Sequence, residues 1–170
     1  RALPHVRCVF VGDAMERERL KGLTLSLGLA NVRFLPRQPA DRIGEILSLA
    51  DALLIHLRDD SLSSIGIPQK TQAYLAAGRP IVMAVRGDAA HLVRRAGAGV
   101  FCEAGHPPSI AESIRRLAQM SIAERRRLGE RGRDFYRREL AFGVGAERML
   151  DVFQRALDGQ RAPGTQRRAA

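Results

Sequence analysis

The sequence predicts an α/β protein built on a Rossmann-like parallel sheet with helices on both faces. Short apolar runs rich in β-branched residues alternate with longer segments whose apolar residues recur at helical spacing. The apolar runs are nearly continuous, which is typical of parallel strands buried on both faces. This alternation indicates repeated βαβ units with right-handed crossovers. A chain of 170 residues is long enough to form such a domain around its own core.

Five apolar runs are predicted to be strands. The first, VRCVFVG, ends at Gly12, and the third, DALLIHL, is apolar on both faces. The five predicted strands cover residues 6–12, 31–36, 51–57, 80–85 and 98–103. Ligands bind beyond the carboxyl ends of the strands in open sheets of this kind, so we expect the site in the loops that follow these strands.

Four helices are predicted between the strands, at residues 14–29, 40–50, 68–77 and 88–97. Pro68 is expected at the first helical position of the third helix, because its fixed φ is helical and it has no N–H. From about residue 107 the chain is predicted to be helical only. Four glycines are expected to divide that part into two or three segments: Gly129, Gly132, Gly143 and Gly145.

The predicted domain covers residues 1–158, followed by a basic, disordered tail at residues 159–170. No run of about 18 apolar residues occurs, so no membrane-spanning helix is expected. Cys8 and Cys102 lie far apart inside apolar runs, without neighbouring metal ligands. We expect both to be core residues of a cytoplasmic protein.

The net charge of +10 arises from 28 Lys and Arg residues against 18 Asp and Glu residues. Its positive excess is densest in residues 114–138. Two interpretations remain open: a solvated helix face, or a surface that meets an anionic membrane. No nucleic-acid partner is expected, because no nucleic-acid-binding motif appears in the sequence.

An anion site is predicted in the stretch SSIGIPQKTQAYLAAGRPIV, residues 63–82. A helix N-terminus leaves amide groups unpaired and carries a partial positive charge, so it stabilises a phosphate. Gly66 allows a ligand to approach the backbone, and Ser64 can donate a hydroxyl. Lys70 adds a compact mobile cation. The alternative is that Lys70 is an ordinary exposed lysine in the first turn of a helix.

The stretch GIPQKTQAYLAAGRPIV resembles the P-S-K-x-x-E-Y-M-A-A-G-R-P signature of the donor-binding domain in family-4-type retaining glycosyltransferases (glycosyl transferase group 1). VFVGDAMERERLKGL is similar to the G-D-G-P-x-x-x-x-L segment of that domain. NVRFLPRQPADRIGEILSLADALLIHL resembles its V-x-F-L-G…ADV segment, and AGAGVFCEAGHPPSIAESIRRL its G-x-G-x-x-x-x-x-G-D-P-x-x-L-A segment. The resemblance extends from about residue 6 to residue 117, and the most similar variants are bacterial enzymes of surface-polysaccharide synthesis.

This resemblance implies the C-terminal half of a GT-B fold, whose N-terminal domain binds the acceptor. By this resemblance, the first βα unit of the donor domain is expected to be missing from this sequence, and the fragment is expected to be inactive alone. The implied reaction transfers a sugar, from a UDP-sugar donor, to a glycan or lipid-linked acceptor. The implied location is the cytoplasm, as a peripheral protein on the inner face of the membrane. Electrostatic stabilisation of the departing diphosphate requires neither metal nor cofactor.

The resemblance also assigns roles to individual residues. Gly12 and Asp13 would lie under the sugar and phosphates, and Arg37, in the loop at residues 36–38, would lie near the base. The diphosphate and sugar would meet Ser64, Gly66, Ile67 and Lys70, with Lys70 as the catalytic cation.

The chain departs from the family pattern at the ribose. Many relatives carry a pair of glutamates, the second of which binds the ribose hydroxyls. The corresponding positions here are Ile65 and Ala73, neither of which can accept a hydrogen bond. Either Gln72 or Thr71 would substitute, or the ribose would be held elsewhere.

Two other functions remain open from the sequence. One is a sugar-nucleotide epimerase on the same two-domain fold, which would require acid–base carboxylates and a histidine in the cleft. The other is a non-catalytic α/β module that docks on a membrane or a protein through its arginine-rich helices.

Overall fold

The computed structural model describes residues 3–13, 15–57 and 65–160 of the chain. Its strands are β1 (Cys8–Val11), β2 (Val32–Leu35), β3 (Leu53–His56), β4 (Ile81–Ala84) and β5 (Gly99–Phe101). Each coincides with a predicted strand and is shorter at both ends.

The helices between the strands also follow the predicted order. They are α1 (Arg17–Ser26), a 3-10 turn (Ala40–Arg42) leading into α2 (Ile43–Ser48), α3 (Gln69–Ala77) and α4 (Asp88–Ala96). The helical part that follows comprises α5 (Pro107–Gln119), α6 (Ile122–Phe135), a π-helical segment (Tyr136–Leu140) and α7 (Phe142–Gln160). The fold therefore alternates strands and helices up to β5 and is helical afterwards.

All the strand pairs are parallel, which confirms the predicted α/β architecture. Within the described residues, however, the strands form two hydrogen-bonded sheets. One contains β1 and β2, with Cys8 opposite Val32. The other has the order β3-β4-β5, with Ile81 between Leu53 and Gly99. Strand β1 is an edge strand of the first sheet, and β3 is an edge strand of the second.

The core lies on the two faces of the second sheet. All four residues of the central strand β4 are buried, and successive side chains point to opposite faces. Ile81 and Met83 pack on one face with Ile55, Leu75 and other residues of α3, α4 and α6. On the opposite face, Val82 packs with Val100 and Leu117. The first of these clusters fixes α3 against the sheet that carries β3.

The outer edges of β1 and β3 are open among the described residues. The amides of Cys8 and Gly12 donate to carbonyls beside β2, at 2.9 and 3.2 Å. Because alternate residues of a strand point the same way, the amides of Val9 and Val11 point to the opposite edge. Val9 is 50% exposed, and Leu54 of β3 is 40% exposed. Apolar side chains of a kind that is normally buried in a parallel sheet are therefore exposed at these edges.

The predicted helix breaks at glycine are wrong. Gly129 and Gly132 are buried inside α6, and Gly143 and Gly145 lie in the first turn of α7. The breaks fall at Ser121, which caps α6, and at Ala141, whose ψ of 145° is extended. The buried glycines instead allow close contact: a Cβ on residue 129 would overlap the backbone of Gly78.

Candidate functional site

Three of the predicted site segments lie at the carboxyl ends of strands or at the start of a helix. Gly12 and Asp13 follow β1, Arg37 follows β2, and α3 begins in the connection between β3 and β4. Ser64 lies outside the described residues. This is the edge at which parallel α/β sheets bind ligands.

Arg17 joins the ends of β1 and β2. Its Nη1 donates to the carbonyl oxygen of Leu35 at 2.8 Å, and also to the carbonyl oxygen of Gly12. The same nitrogen lies 3.3 Å from the carboxylate of Asp13. The Asp13 side chain is 64% exposed, so the carboxylate remains accessible to a ligand. Arg17 was not among the predicted site residues, although its spacing of four from Asp13 was a usable signal.

Gly12 occupies a conformation that favours glycine, with φ of 120° and no atom within 4 Å of an added Cβ. Its amide donates to the carbonyl oxygen of Leu35 at 3.2 Å. In the following loop, the Gln38 side-chain amide donates to the carbonyl oxygen of Pro36 at 3.1 Å, and Arg37 is exposed. Hydrogen bonds within the protein therefore hold the ends of β1 and β2, while the Arg37 side chain is exposed to solvent.

The N-terminus of α3 differs slightly from the prediction. Pro68 is the N-cap residue, with φ of −58° and ψ of 138°, and Gln69 is the first helical residue. The carbonyl oxygen of Pro68 accepts the amide of Thr71 at 2.8 Å, and no side chain caps the helix. Since Pro68 is extended, it lies outside the helix. The amides of Gln69 and Lys70 thus have no acceptor within the helix.

Lys70 lies in the first turn of α3 with its side chain exposed. Among the residues that the structure describes, no carboxylate pairs with it. Ile67 is 46% exposed and Gly66 is half-buried immediately before the helix. An exposed cation and an uncapped helix N-terminus therefore coincide, which favours binding of an anion.

The two candidate substitutes for the missing ribose-binding glutamate are placed differently. Thr71 is fully buried, and its Oγ1 has no hydrogen-bond partner in the described structure. Gln72 is exposed. Ala73 is also exposed and lines a groove of about 440 Å³ between α2 and α3. Gln72 is the one of the two that a ligand could reach.

Part of the arginine-rich stretch has a structural role. Three arginines of α6 donate to the carboxyl ends of three other helices. Arg125 reaches the Met120 carbonyl oxygen after α5 at 2.6 Å, Arg131 reaches Gly97 after α4 at 2.9 Å, and Arg133 reaches Ala77 of α3 at 3.0 Å. Cations in these positions donate hydrogen bonds to the terminal carbonyls and interact favourably with the negative end of the helix dipole.

Other arginines of the same region remain exposed: Arg116, Arg127, Arg137 and Arg138. None of the described helices has the length and hydropathy needed to cross a membrane. Over the same residues, no group of His, Cys, Asp or Glu side chains is arranged to hold a metal ion.

Residues 1–135 match the family model described as glycosyl transferases group 1. No curated protein sequence gives a significant match to the chain.

Solved structures share the fold at low sequence identity. Sucrose-phosphate synthase from Thermosynechococcus elongatus is 18% identical, with a TM-score of 0.77 over 93% of this chain and 41% of that chain. Anabaena Alr3699/HepE in complex with UDP-glucose is 18% identical, with a TM-score of 0.73 over 90% of this chain and 43% of that one. WaaG, a glycosyltransferase involved in lipopolysaccharide biosynthesis, is 21% identical, with a TM-score of 0.68 over 86% of this chain and 40% of its own.

This chain thus spans less than half the length of each of these structures. The family model covers most of the chain, including the ends of β1 and β2 and the start of α3. The chain therefore belongs to the group 1 glycosyltransferase family.

Proposed function

We propose that residues 1–170 form the donor-binding part of a retaining glycosyltransferase of the family-4 type that uses a UDP-sugar. The observation that carries this proposal is the uncapped N-terminus of α3, where the exposed Lys70 lies beside unpaired amides. The structure of Anabaena Alr3699/HepE with UDP-glucose supports it, because that protein shares the fold. Sugar transfer is proposed for the whole protein, of which this chain supplies the nucleotide site.

The diphosphate of the donor would bind at the start of α3. Its oxygens would accept hydrogen bonds from the amides of Gln69 and Lys70, and the Lys70 ammonium would follow them. Negative charge grows on the diphosphate as the bond to the sugar breaks. A cation and fixed amide dipoles at that point stabilise the transition state more than the ground state. Lys70 is in this sense the proposed catalytic residue.

The other site residues would orient the donor. The lack of a side chain at Gly12 leaves room for the sugar and phosphates, and the exposed Asp13 carboxylate can accept hydrogen bonds from sugar hydroxyls. Gly66 and Ile67 would offer backbone groups to the diphosphate and sugar, with Ser64 beside them.

The nucleoside would be held by two further groups. Arg37 would lie near the base, and the exposed Gln72 would take the place of the missing glutamate at the ribose. Its side-chain carbonyl can accept a hydrogen bond from a ribose hydroxyl.

The acceptor is proposed to be a glycan or a lipid-linked sugar of surface-polysaccharide synthesis, at the cytoplasmic face of a membrane. The similarity to WaaG, a glycosyltransferase involved in lipopolysaccharide biosynthesis, supports this choice. The exposed arginines Arg116, Arg127, Arg137 and Arg138 would meet the anionic lipid surface. The acceptor domain would be supplied by polypeptide outside residues 1–170, and this part alone would not turn over substrate.

Calorimetric titration with UDP, UMP, uridine and ADP tests the proposal. UDP is expected to bind more tightly than UMP or uridine, because the diphosphate reaches Lys70. Lys70→Ala is expected to weaken UDP binding about 10- to 100-fold, the effect of removing a hydrogen bond to a charged group.

Lys21→Ala is the matched control, since Lys21 is the other lysine of the chain and pairs with Glu18 on α1 at 2.6 Å. It should leave UDP affinity unchanged. Equal UDP affinities for the wild type and Lys70→Ala, or no UDP binding by the wild type, would overturn the proposal. Vesicle binding without nucleotide binding would instead support a docking module.

A further inference from the structure

The guanidinium of Arg17 connects two loops that the proposed function assigns to different parts of the donor. On one side it contacts the carbonyl oxygen of Gly12 and the carboxylate of Asp13, where the sugar and phosphates would bind. On the other side it donates to the carbonyl oxygen of Leu35 at 2.8 Å, directly before the loop that would hold the base. Its side chain is only 17% exposed.

The geometry makes these contacts interdependent. The Leu35 carbonyl oxygen accepts both the Arg17 guanidinium and the Gly12 amide, so the end of β1 is tied to the end of β2 twice. All three contacts are made by a single nitrogen, Nη1, whose two hydrogens lie in the plane of the rigid guanidinium. Without Arg17, the carbonyl oxygen of Gly12 would lose this donor. Its partial negative charge would then face the edge that receives an anionic ligand.

We infer that Arg17 is a positioning residue of the donor site. It fixes the turn at Gly12 and Asp13 relative to the loop at residues 36–38, and it thereby sets discrimination between bases. Arg17 does not need to touch the nucleotide, because its partners are groups of the protein itself. This inference rests on the proposed function, since it assumes that the two loops hold one nucleotide.

The alternative is a general stabilising role. A purely stabilising arginine would, when removed, lower the melting temperature and weaken every ligand by the same factor. A positioning residue would alter the ratio between ligands that differ only in the base. The ratio of the ADP and UDP dissociation constants separates these two roles, because both ligands carry the same diphosphate to Lys70.

The experiment compares Arg17→Ala, Arg17→Lys and the control Arg19→Ala. Arg19 lies on the same helix, is 66% exposed and pairs with Glu16, away from the strand ends. Arg17→Ala is expected to weaken UDP binding about tenfold and ADP binding at most about twofold, so that the preference for UDP over ADP falls at least about fivefold. Arg17→Lys should fall between the wild type and Arg17→Ala. Arg19→Ala should match the wild type for both ligands.

Hydrogen exchange of the Gly12 amide, measured by NMR without ligand, tests the connection independently of nucleotide binding. The rate is expected to rise at least tenfold in Arg17→Ala and to stay unchanged in Arg19→Ala. An unchanged Gly12 rate, or equal losses of UDP and ADP affinity, would overturn the inference. If the wild type binds neither nucleotide, the proposed function and the role in base discrimination both fail, while the exchange rates still decide whether Arg17 holds the turn.

Discussion

Gly129 of α6 lies against Gly78, the C-cap residue of α3. The carbonyl oxygen of Gly78 occupies the space that a Cβ on residue 129 would need. This contact holds the carboxyl end of α3 close to α6. It therefore sets the position of the helix whose other end carries Lys70.

Gly129→Ala is expected to destabilise the fold, because the obstructing atom belongs to the backbone and cannot move aside alone. Overpacking of this kind costs about 1–3 kcal/mol. For a chain of this size, the melting temperature should fall by roughly 3–10 °C. Thermal unfolding followed by circular dichroism measures it.

Gly143→Ala is the matched control, since an added Cβ there meets no atom within 4 Å. Its melting temperature should equal that of the wild type or exceed it, because alanine has a higher helix propensity than glycine. Equal melting temperatures for the two variants would contradict the close packing of α6.

Ser121 and Glu124 form a reciprocal cap at the start of α6. The Glu124 amide donates to Ser121 Oγ at 3.2 Å, and the Ser121 amide donates to the Glu124 carboxylate at 2.8 Å. Hydrogen bonds from the hydroxyl and amide of Ser121 hold the pKa of Glu124 below its usual value. Because the folded pKa is lowered, this stabilisation is present above about pH 4.3 and is lost as the pH falls through the folded pKa.

Ser121→Ala is expected to lower the free energy of unfolding by about 1 kcal/mol at pH 7. The difference from the wild type should shrink at pH 3, as urea unfolding at the two pH values would show. Ser26→Ala provides a comparison, since the Ser26 hydroxyl bonds a carbonyl oxygen at 3.0 Å and involves no carboxylate. Its effect should not depend on pH; a Ser121→Ala effect that is equally constant would argue against the reciprocal cap.

Ala73→Glu should increase affinity for UDP if the groove between α2 and α3 lies next to the ribose. A carboxylate at this exposed position can accept hydrogen bonds from ribose hydroxyls, worth about 1.5–3 kcal/mol for a charged partner. The measurement is the affinity for UDP and for its 2′,3′-dideoxy analogue. The gain should appear with UDP alone, and Ala73→Gln should give a smaller gain. An equal gain for both ligands would argue against a ribose contact.

Arginines of the basic stretch should divide into two functional groups. Arg133→Gln removes a hydrogen bond to the Ala77 carbonyl oxygen and should cost about 0.5–1.5 kcal/mol of stability. Arg127→Gln, at an exposed position of the same helix, should leave stability unchanged. Urea unfolding of both variants makes this comparison, and similar losses would contradict it.

Membrane binding should depend on the exposed group. A variant with Gln at Arg116, Arg127, Arg137 and Arg138 is expected to lose sedimentation with vesicles that contain anionic lipid, at low salt. Neutral vesicles serve as the control. Unchanged sedimentation of the variant would show that these arginines form a solvated helix face, as the other interpretation holds.

The order of the strands and helices could be predicted because apolar runs and helical periodicity are local signals. The helix ends depended on tertiary contacts instead. Gly129 is read locally as a break, but in the fold it is a contact point between α6 and α3. Pro68 was likewise predicted to begin its helix, but its extended conformation places it one position before the first helical residue, Gln69.

The site was predicted in part for the same reason. Gly12, Asp13 and Lys70 could be placed because they follow strands or begin a helix. The role of Arg17 could not be predicted from composition, because its partner Leu35 lies 18 residues away and becomes adjacent only when β1 and β2 pair. The burial of Thr71 also depends on how α3 packs, which the helical pattern alone left open.

The exposed edges of β1 and β3 have a consequence for handling the protein. Within the described residues, the edges of β1 and β3 carry no paired strand, and the exposed apolar side chains of Val9 and Leu54 flank them, so another extended segment can hydrogen-bond there. In a concentrated solution of residues 1–170, the available segment is a neighbouring molecule. Intermolecular strand addition would then compete with the monomer, so the associated fraction should rise steeply with concentration.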